Sequence, residues 1–265
     1  MTIIHSAILG LVEGLTEFVP VSSSGHLIMA RKLMGLQLQG SLAFDAVVQL
    51  AATLAVVIYF WKDIWNIILA FIAWISKKPA EEKYKNMILP IIIGSVPAVI
   101  FGLLLEKKMD TVFRDSTVIV AVSLILGSIL FYFAEKFAKY NSEISPKKGL
   151  AVGLFQCLAL VPGFSRSGAT ISGGLLVGLN REAATRFSFL LALPVILGSG
   201  LLKLLEIIKS GAIASEASSI FWASLFAFVS GLLAIHFLIK FLRNHSLNYF
   251  GAYRIVLAVI ILIWL

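Results

Sequence analysis

Two short polar stretches interrupt otherwise apolar sequence, and both carry residue types that can do chemistry. The first is GLVEGLTEFVPVSSSGHL, residues 10–27. Glu13 and Glu17 are four apart, so a helix presents both carboxylates on one face, about one turn or ~6 Å apart. Pro20 has no backbone N–H and should end that helix. Ser22, Ser23, Ser24 and Gly25 then read as irregular backbone ahead of His26. The second stretch is PGFSRSGATISGG, residues 162–174, with Arg166 between Ser165 and Ser167. Ser/Gly turns and helix N-termini present N–H groups and hydroxyls that cradle phosphate oxygens, and the planar fork of Arg166 suits the same ligand. A carboxylate pair beside a phosphate site fits a bridging divalent cation or acid/base work. His26 can exchange a proton near neutral pH. Ser23 can supply a nucleophilic oxygen once a base activates it. Together these groups fit phosphoryl transfer, or hydrolysis of a phosphoester or pyrophosphate bond.

Each residue also has a plainer reading. Serines in membrane helices often bond their own backbone or hold helices together, and Gly25 and Gly168 permit close packing. His26 alone reads as an interhelical hydrogen-bonding group, and Arg166 alone as a structural ion-pair partner of Glu13 or Glu17. Asp45 and Gln49 read as helix-supporting residues. Gln156, at the position matching Glu13, reads as a hydrogen-bonding relic. No GK[ST] phosphate loop and no HExxH zinc motif occurs.

The elements that must position these residues lie in a membrane. Of 265 residues 59% are hydrophobic and 14% charged, with mean hydropathy +0.97, whereas soluble domains run nearer ~25% charged. Apolar runs of spanning length are expected at 44–61, 86–105, 116–134, 187–205, 217–239 and 248–265. Residues 63–75 are short for a crossing and fit an interfacial segment or a continuation of the previous helix. A polar residue or freed backbone group is tolerated at such depth only inside protein or beside a wet cavity. No cleavable signal peptide is expected, since the first apolar run holds two glutamates. The single cysteine, Cys157, excludes an internal disulfide. The formal charge of +8 sits in loops and favours anionic lipid headgroups. No basic face interleaved with aromatics points to nucleic acid.

The halves of the chain match at a constant offset of 143 residues, which lays 10–28 over 153–171. Gly10/Gly153, Leu11/Leu154, Leu15/Leu158, Ser22/Ser165, Ser24/Ser167, Gly25/Gly168 and Ile28/Ile171 are identical. The expected organisation is one polytopic domain, 1–265, with repeat half 1 at about 1–134, a linker at 135–148 and half 2 at about 149–265. Three crossings per half is odd, so the halves should be inverted, with each broken stretch a re-entrant helical hairpin. Residues 62–85, 135–148, 181–186 and 240–243 then share one side with 13 Lys/Arg, against seven at 31–32, 107–114 and 203–209. The richer side should be cytoplasmic, so the Glu13 stretch enters from the outer face.

EGLTEFVPVSSSGH and PGFSRSGATISGG closely resemble the two signature motifs of the undecaprenyl-pyrophosphate phosphatase family, the BacA or bacitracin-resistance type. Both motifs are long, in the usual order and spacing, and the likeness covers the whole chain. The resemblance implies an all-α integral membrane enzyme with about six transmembrane helices, two re-entrant hairpins and an inverted repeat. It implies release of the terminal phosphate of a polyprenyl diphosphate lipid, which recycles the carrier for peptidoglycan synthesis. A divalent cation (Mg²⁺ or Ca²⁺), a bacterial cytoplasmic membrane and a site open to the outer face also follow from it. Carried over by motif position, Glu17, Ser23, His26 and Arg166 are the catalytic group. Ser22, Ser165, Arg166, Ser167 and Thr170 bind phosphate, and Glu13 with Glu17 holds the cation. On this reading Ser23 attacks with His26 as base. His26 itself or water as attacking group stays open, a homodimer is an open partner reading, and a lipid flippase is the rival function.

Overall fold

The computed structural model describes residues 1–36, 42–108, 116–140, 143–210 and 213–264. The charged loop around 109–115 lies outside the described residues. The described chain is helical, with no strand among the described residues. Helix α1 (Ile3–Phe18) starts behind Thr2, whose hydroxyl accepts the His5 N–H at 3.2 Å, and it stops two residues before Pro20. Helix α2 (Ser23–Leu33) follows the break, and α3 (Leu42–Tyr59) and α4 (Trp61–Ile75) come next. Helix α5 (Glu82–Lys108) runs unbroken through Pro90 and Pro97, and α6 (Thr117–Phe137) completes the first half. Helix α7 (Pro146–Cys157) has Ser145 as N-cap and proline in its first turn, where the missing N–H costs nothing. It tightens into a 3₁₀ turn, Leu158–Leu160, before α8 (Arg166–Leu176). Helices α9 (Arg181–Ser210), α10 (Ile213–Asn244) and α11 (Asn248–Trp264) finish the chain.

Four segments among the described residues are long and apolar enough to cross a membrane: Glu82–Leu105, Thr117–Phe137, Arg181–Leu205 and Ala217–Asn244. Helices α3 and α4 qualify only as a pair bent by 79° at Phe60. Of the six crossings expected from sequence, four are unbroken segments and a fifth is this bent pair, while α11, with 17 described residues, is a shorter apolar helix at the lower limit of spanning length. Residues 63–75 do not continue α3 in line. Trp61, Trp65, Ile72, Trp74 and Ile75 of α4 are all exposed. Exposed Leu103, Phe221, Leu233, Val256 and Ile263 extend this outward apolar surface over other helices. Water would not tolerate so much exposed apolar area on a stable monomer, and the protein is an all-α integral membrane protein.

Two helix pairs approach closely because glycine leaves room for backbone. A Cβ on Gly10 or Gly14 of α1 would lie 2.0 Å from the carbonyl oxygen of Ala223 or 2.2 Å from that of Ala227, both on α10. A Cβ on Gly153 of α7 would lie 2.1 Å from the carbonyl oxygen of Gly94 on α5, and one on Gly149 would lie 2.5 Å from Pro90. Small residues four apart do this in both pairs, the usual membrane solution where lipid supplies no hydrophobic drive between helices. Both pairs run parallel, since residue numbers rise together across the contact. Helices α3 and α9 pack on one another, as do α6 and α11, while α8 sits among α6, α7 and α9. In the centre Phe18 meets Phe189 edge-on with ring centroids 5.7 Å apart.

One end of the molecule carries a polar belt. Glu135 accepts from Arg181 (Nη2, 2.6 Å), Tyr140 (3.0 Å) and the Leu247 N–H (2.7 Å), tying the end of α6 to the starts of α9 and α11. Arg243 pairs with Glu182 at 2.8 Å and Arg186 with Asp63 at 3.5 Å. Parts of all four segments grouped on one side from sequence meet here or adjoin. At the other end of α11, the Lys32 ammonium donates to the Trp264 carbonyl at 3.2 Å.

Candidate active site

The two broken stretches fold into turns of the same local geometry. Ser22 (φ 75°, ψ 101°) and Ser165 (φ 71°, ψ 117°) both take a left-handed backbone that residues with a Cβ rarely adopt. Such outliers persist only where the surroundings over-determine them. Each serine is an N-cap: the Ser22 hydroxyl accepts the Gly25 N–H at 3.4 Å, and that of Ser165 accepts the Gly168 N–H at 3.3 Å. Each hydroxyl also meets the serine two residues on, Ser24 at 3.1 Å and Ser167 at 3.2 Å. The turns touch directly, since the Gly163 N–H donates to the Ser24 hydroxyl at 3.2 Å. Gly163 has φ 94°, and a Cβ there would lie 2.4 Å from the Val120 carbonyl oxygen, so only glycine fits.

Glu17 is the centre of the site. Its Oε2 accepts from the Ser23 hydroxyl at 2.7 Å. Its Oε1 accepts from Gln49 Nε2 and Arg166 Nη2, both at 3.0 Å. Helices α1, α2, α3 and α8 therefore converge on one buried carboxylate, whose side chain is 5% exposed against 12% for Arg166. One turn back on α1, Glu13 is buried and its Oε2 has no hydrogen-bond partner. Nη1 of Arg166 is likewise buried without a partner. Unpaired polar atoms inside a protein are costly and call for an explanation; here they are a free acceptor and a free cationic donor in one site.

His26 faces another way. Its Nδ1 lies 2.7 Å from the Ser22 carbonyl oxygen. A carbonyl can only accept, so the hydrogen-bond network assigns the proton to Nδ1 and leaves a lone pair on Nε2. Nε2 accepts from the Tyr253 hydroxyl at 2.7 Å, with the two rings within 5° of parallel.

The structure thus gathers Glu13, Glu17, Ser22, Ser23, His26, Ser165, Arg166 and Ser167 around the two turns, with differences from the sequence expectation. The hydrogen-bond partner of Ser23 is Glu17, not His26, because the Ser22 carbonyl turns the imidazole toward α11. Thr170 is fully buried, and its hydroxyl is held by the Arg166 carbonyl at 2.8 Å and Ser188 at 2.5 Å. It supports the start of α8 rather than facing a ligand. The Ser22 and Ser165 hydroxyls are engaged as caps. The fully buried Ser167 hydroxyl reaches the Glu17 carbonyl oxygen at 3.5 Å. The Gln156 amide, expected to hydrogen-bond, has no partner on either polar atom. Asp45 supports a helix as expected, paired with buried Arg31 of α2 (Nη1, 3.0 Å). Gln49, one turn further along α3, belongs to the site.

Two further residues escaped the sequence reading. Tyr253 carries no polar signal among aromatic neighbours. Arg254 did carry one, as a lone arginine inside an apolar helix. It is fully buried. Its Nη1 donates to Pro20 O (3.3 Å) and Phe164 O (2.9 Å), its Nη2 to Ser123 O (3.2 Å) and Gly163 O (3.1 Å), and its Nε to Leu124 O (3.3 Å).

Comparison with known proteins identifies the family of the chain. The family model described as bacitracin resistance protein BacA matches residues 6–260. A Renibacterium salmoninarum protein named undecaprenyl-diphosphatase is 40% identical over 99% of this chain and 95% of its own length. Proteins of the same name from Corynebacterium striatum and Acidovorax ebreus are 42% and 38% identical, each over 99% of this chain, covering 94% and 95% of their own lengths. The chain belongs to the BacA family of bacitracin resistance proteins.

Proposed function

We propose that this protein hydrolyses undecaprenyl diphosphate to undecaprenyl phosphate and inorganic phosphate, returning the lipid carrier to peptidoglycan synthesis. The relatives bear the name of that hydrolase, and nothing in the comparisons favours the flippase reading. The observation that carries the chemistry is the Ser23 hydroxyl bonded at 2.7 Å to a buried carboxylate that also holds Arg166. The diphosphate lies between the two turns, where the free Nη1 of Arg166 donates to its oxygens. Ser23 Oγ attacks the terminal phosphorus and its proton passes to Glu17 Oε2. The bond from that phosphorus to the bridging oxygen breaks, and undecaprenyl phosphate leaves with the bridging oxygen. Water then attacks that phosphorus, its bond to Ser23 Oγ breaks, Ser23 regains its proton from Glu17, and inorganic phosphate leaves with the oxygen and protons of the water. His26, with its lone pair on Nε2, is the second candidate nucleophile, and trapping decides between them.

A divalent cation fits the residues present. Among the described residues no three His, Cys, Asp or Glu side chains converge on one point, yet Mg²⁺ is commonly held by one or two carboxylates with phosphate oxygens completing the shell. The partnerless Oε2 of Glu13 is the natural ligand, with Glu17 beside it. The cation would neutralise charge on the diphosphate.

The inverted arrangement is part of the same reading. Helix α1 runs parallel to α10, whose last turn lies in the polar belt, and α7 runs parallel to α5. Helix α2 ends beside Lys32 at the far end of α11, while α8 ends ahead of Arg181 in the belt. These facts support two hairpins entering from opposite faces, and with the Lys/Arg-rich belt side taken as cytoplasmic the Glu13 hairpin opens outward. Every residue in the proposed chemistry comes from one copy, so a homodimer, if formed, is not needed for it.

The test is phosphate release by the purified protein, given farnesyl or undecaprenyl diphosphate with Mg²⁺ or Ca²⁺. Release is expected. No release, together with lipid translocation in vesicles, overturns the enzyme reading. Full turnover by Arg166→Ala overturns the site, and full turnover by His26→Ala excludes His26 as the nucleophile.

A further inference from the structure

We infer that Arg254 is the positioning residue of the site: one guanidinium on α11 fixes the two broken turns relative to each other and leaves an uncompensated positive charge behind them. A guanidinium has five N–H donors in a rigid plane. All five of Arg254 go to main-chain carbonyls, as measured above. One acceptor, Pro20, belongs to the first turn, two residues before Ser22. Two more, Gly163 and Phe164, belong to the second, just before Ser165 and Arg166. The last two, Ser123 and Leu124, lie on α6. No other described side chain bonds the main chain of both turns.

These carbonyls need such a partner. A chain broken at Pro20 and again at Pro162 frees carbonyl acceptors inside the protein, and each would be costly if left unpaired. Three of them meet in one place because the two turns face each other, and a lysine could not reach all of them with one point charge. Helix α6 is shaped to admit the group: a Cβ on Gly127 would lie 2.1 Å from Arg254 Nη2 and 2.9 Å from its Cζ. One turn further along α6, the Phe131 ring also meets the guanidinium, with its centroid 4.8 Å from Cζ. Phe131 in turn packs where a Cβ on Gly168 would be, at 2.4 Å, so the ring supports both Arg254 and the start of α8.

The charge has a second consequence. Arg166 is paired with Glu17, whereas the hydrogen bonds of Arg254 all go to neutral carbonyls. It therefore adds a fixed positive potential behind turns that, on the proposed function, receive a diphosphate. The adjacent Tyr253 holds His26 at 2.7 Å, so two consecutive residues of α11 set the position of both turns and of the imidazole.

The inference rests on the phosphatase reading, and wild-type phosphate release tests that reading separately. The decisive variants are Arg254→Lys, which keeps the charge and loses the fork, and Gly127→Ala, which keeps Arg254 and displaces it. Each is purified, its unfolding temperature measured in detergent, and kcat and KM determined with farnesyl diphosphate. A misplacement of about 1 Å at reacting groups costs on the order of 10²-fold. Arg254→Lys is expected to lose roughly that much kcat, with KM changed less than about threefold, while still folded. Gly127→Ala is expected to lose kcat in the same way. The double variant should be no worse than Arg254→Lys alone, because the two substitutions disturb one group. Folded Arg254→Lys with kcat near wild type overturns the inference. So do losses that multiply in the double variant, or a Gly127→Ala protein that loses folding temperature while each folded molecule keeps full kcat. If Arg254→Lys does not fold, the kcat of folded Gly127→Ala alone decides.

Discussion

Replacing Glu17 by glutamine tests the centre of the site with the smallest change of shape. Glu17 accepts three side-chain hydrogen bonds, two at Oε1 from Gln49 and Arg166 and one at Oε2 from Ser23. An amide supplies one carbonyl oxygen and one NH₂. With the oxygen at the Oε1 position, Gln49 and Arg166 keep an acceptor, and Ser23 faces a donor that cannot take its proton. With the amide flipped, Ser23 keeps an acceptor, and two donors, one of them cationic, face NH₂. The first orientation is therefore favoured, and it removes only the proposed base. Loss of a positioned general base costs about 10²–10⁴ in rate, which is roughly 2.7–5.5 kcal/mol of transition-state stabilisation. Arg166, released from a carboxylate, is at least as free to bind phosphate, so KM should stay level or fall. The assay is initial-rate phosphate release from farnesyl diphosphate in detergent at saturating Mg²⁺, with thermal unfolding run in parallel. Glu17→Asp, which keeps the charge but withdraws it by about one C–C bond or ~1.5 Å, should also lose most of kcat. A folded Glu17→Gln protein with more than a tenth of wild-type kcat would refute the base assignment.

Quenching turnover of substrate labelled in its terminal phosphate should leave label on the protein at Ser23. Label on His26 moves the nucleophile to Nε2, and no adduct under rapid quench favours direct attack by water. Gly14→Val should lower the unfolding temperature sharply, since even a Cβ would lie 2.2 Å from the Ala227 carbonyl oxygen; overpacking of this kind costs about 1–3 kcal/mol or more, and an unchanged melt contradicts the α1–α10 contact. Glu135→Ala removes the acceptor shared by Arg181, Tyr140 and the Leu247 N–H. It should cost about 1.5–3 kcal/mol per charged hydrogen bond lost, seen in the same melt, with kcat of the folded fraction retained. Cysteine labelling at position 83 in intact cells should find it protected by the membrane, and labelling by an impermeant reagent reverses the proposed orientation.

Much of the protein was legible in the sequence because membrane burial makes polar residues conspicuous. Apolar length marked the spans α5, α6, α9 and α10. Pro20, the serine run and the Ser-x-Ser-Gly shared at an offset of 143 marked two breaks of one kind, and both appear with the same serine caps. Glu13, Glu17, Ser23, His26 and Arg166 stood out for the same reason: each is costly in lipid unless it meets a partner. What sequence leaves open is which partner each one meets. The Ser22 carbonyl, a backbone group with no signature, takes Nδ1 of His26 and so gives Ser23 to Glu17. Gln49 looked like a helix-supporting residue until the fold of α3 beside α1 laid its amide on Glu17. Thr170 matched a motif, yet the helical turn it stands on points its hydroxyl at the Arg166 carbonyl and Ser188. Sequence left open whether 63–75 lie at the interface or continue the previous helix, and the 79° bend at Phe60, just before Lys62 and Asp63, is decided by the fold. Arg254 shows the division most sharply. Its presence in an apolar helix was plain, but that three of its five donors meet the carbonyls of two turns about 90 and 234 residues away, and the other two meet carbonyls of α6, depends on long-range packing. Residue type sets what a side chain can bond, and only the tertiary arrangement decides which of several competent partners is within ~3 Å.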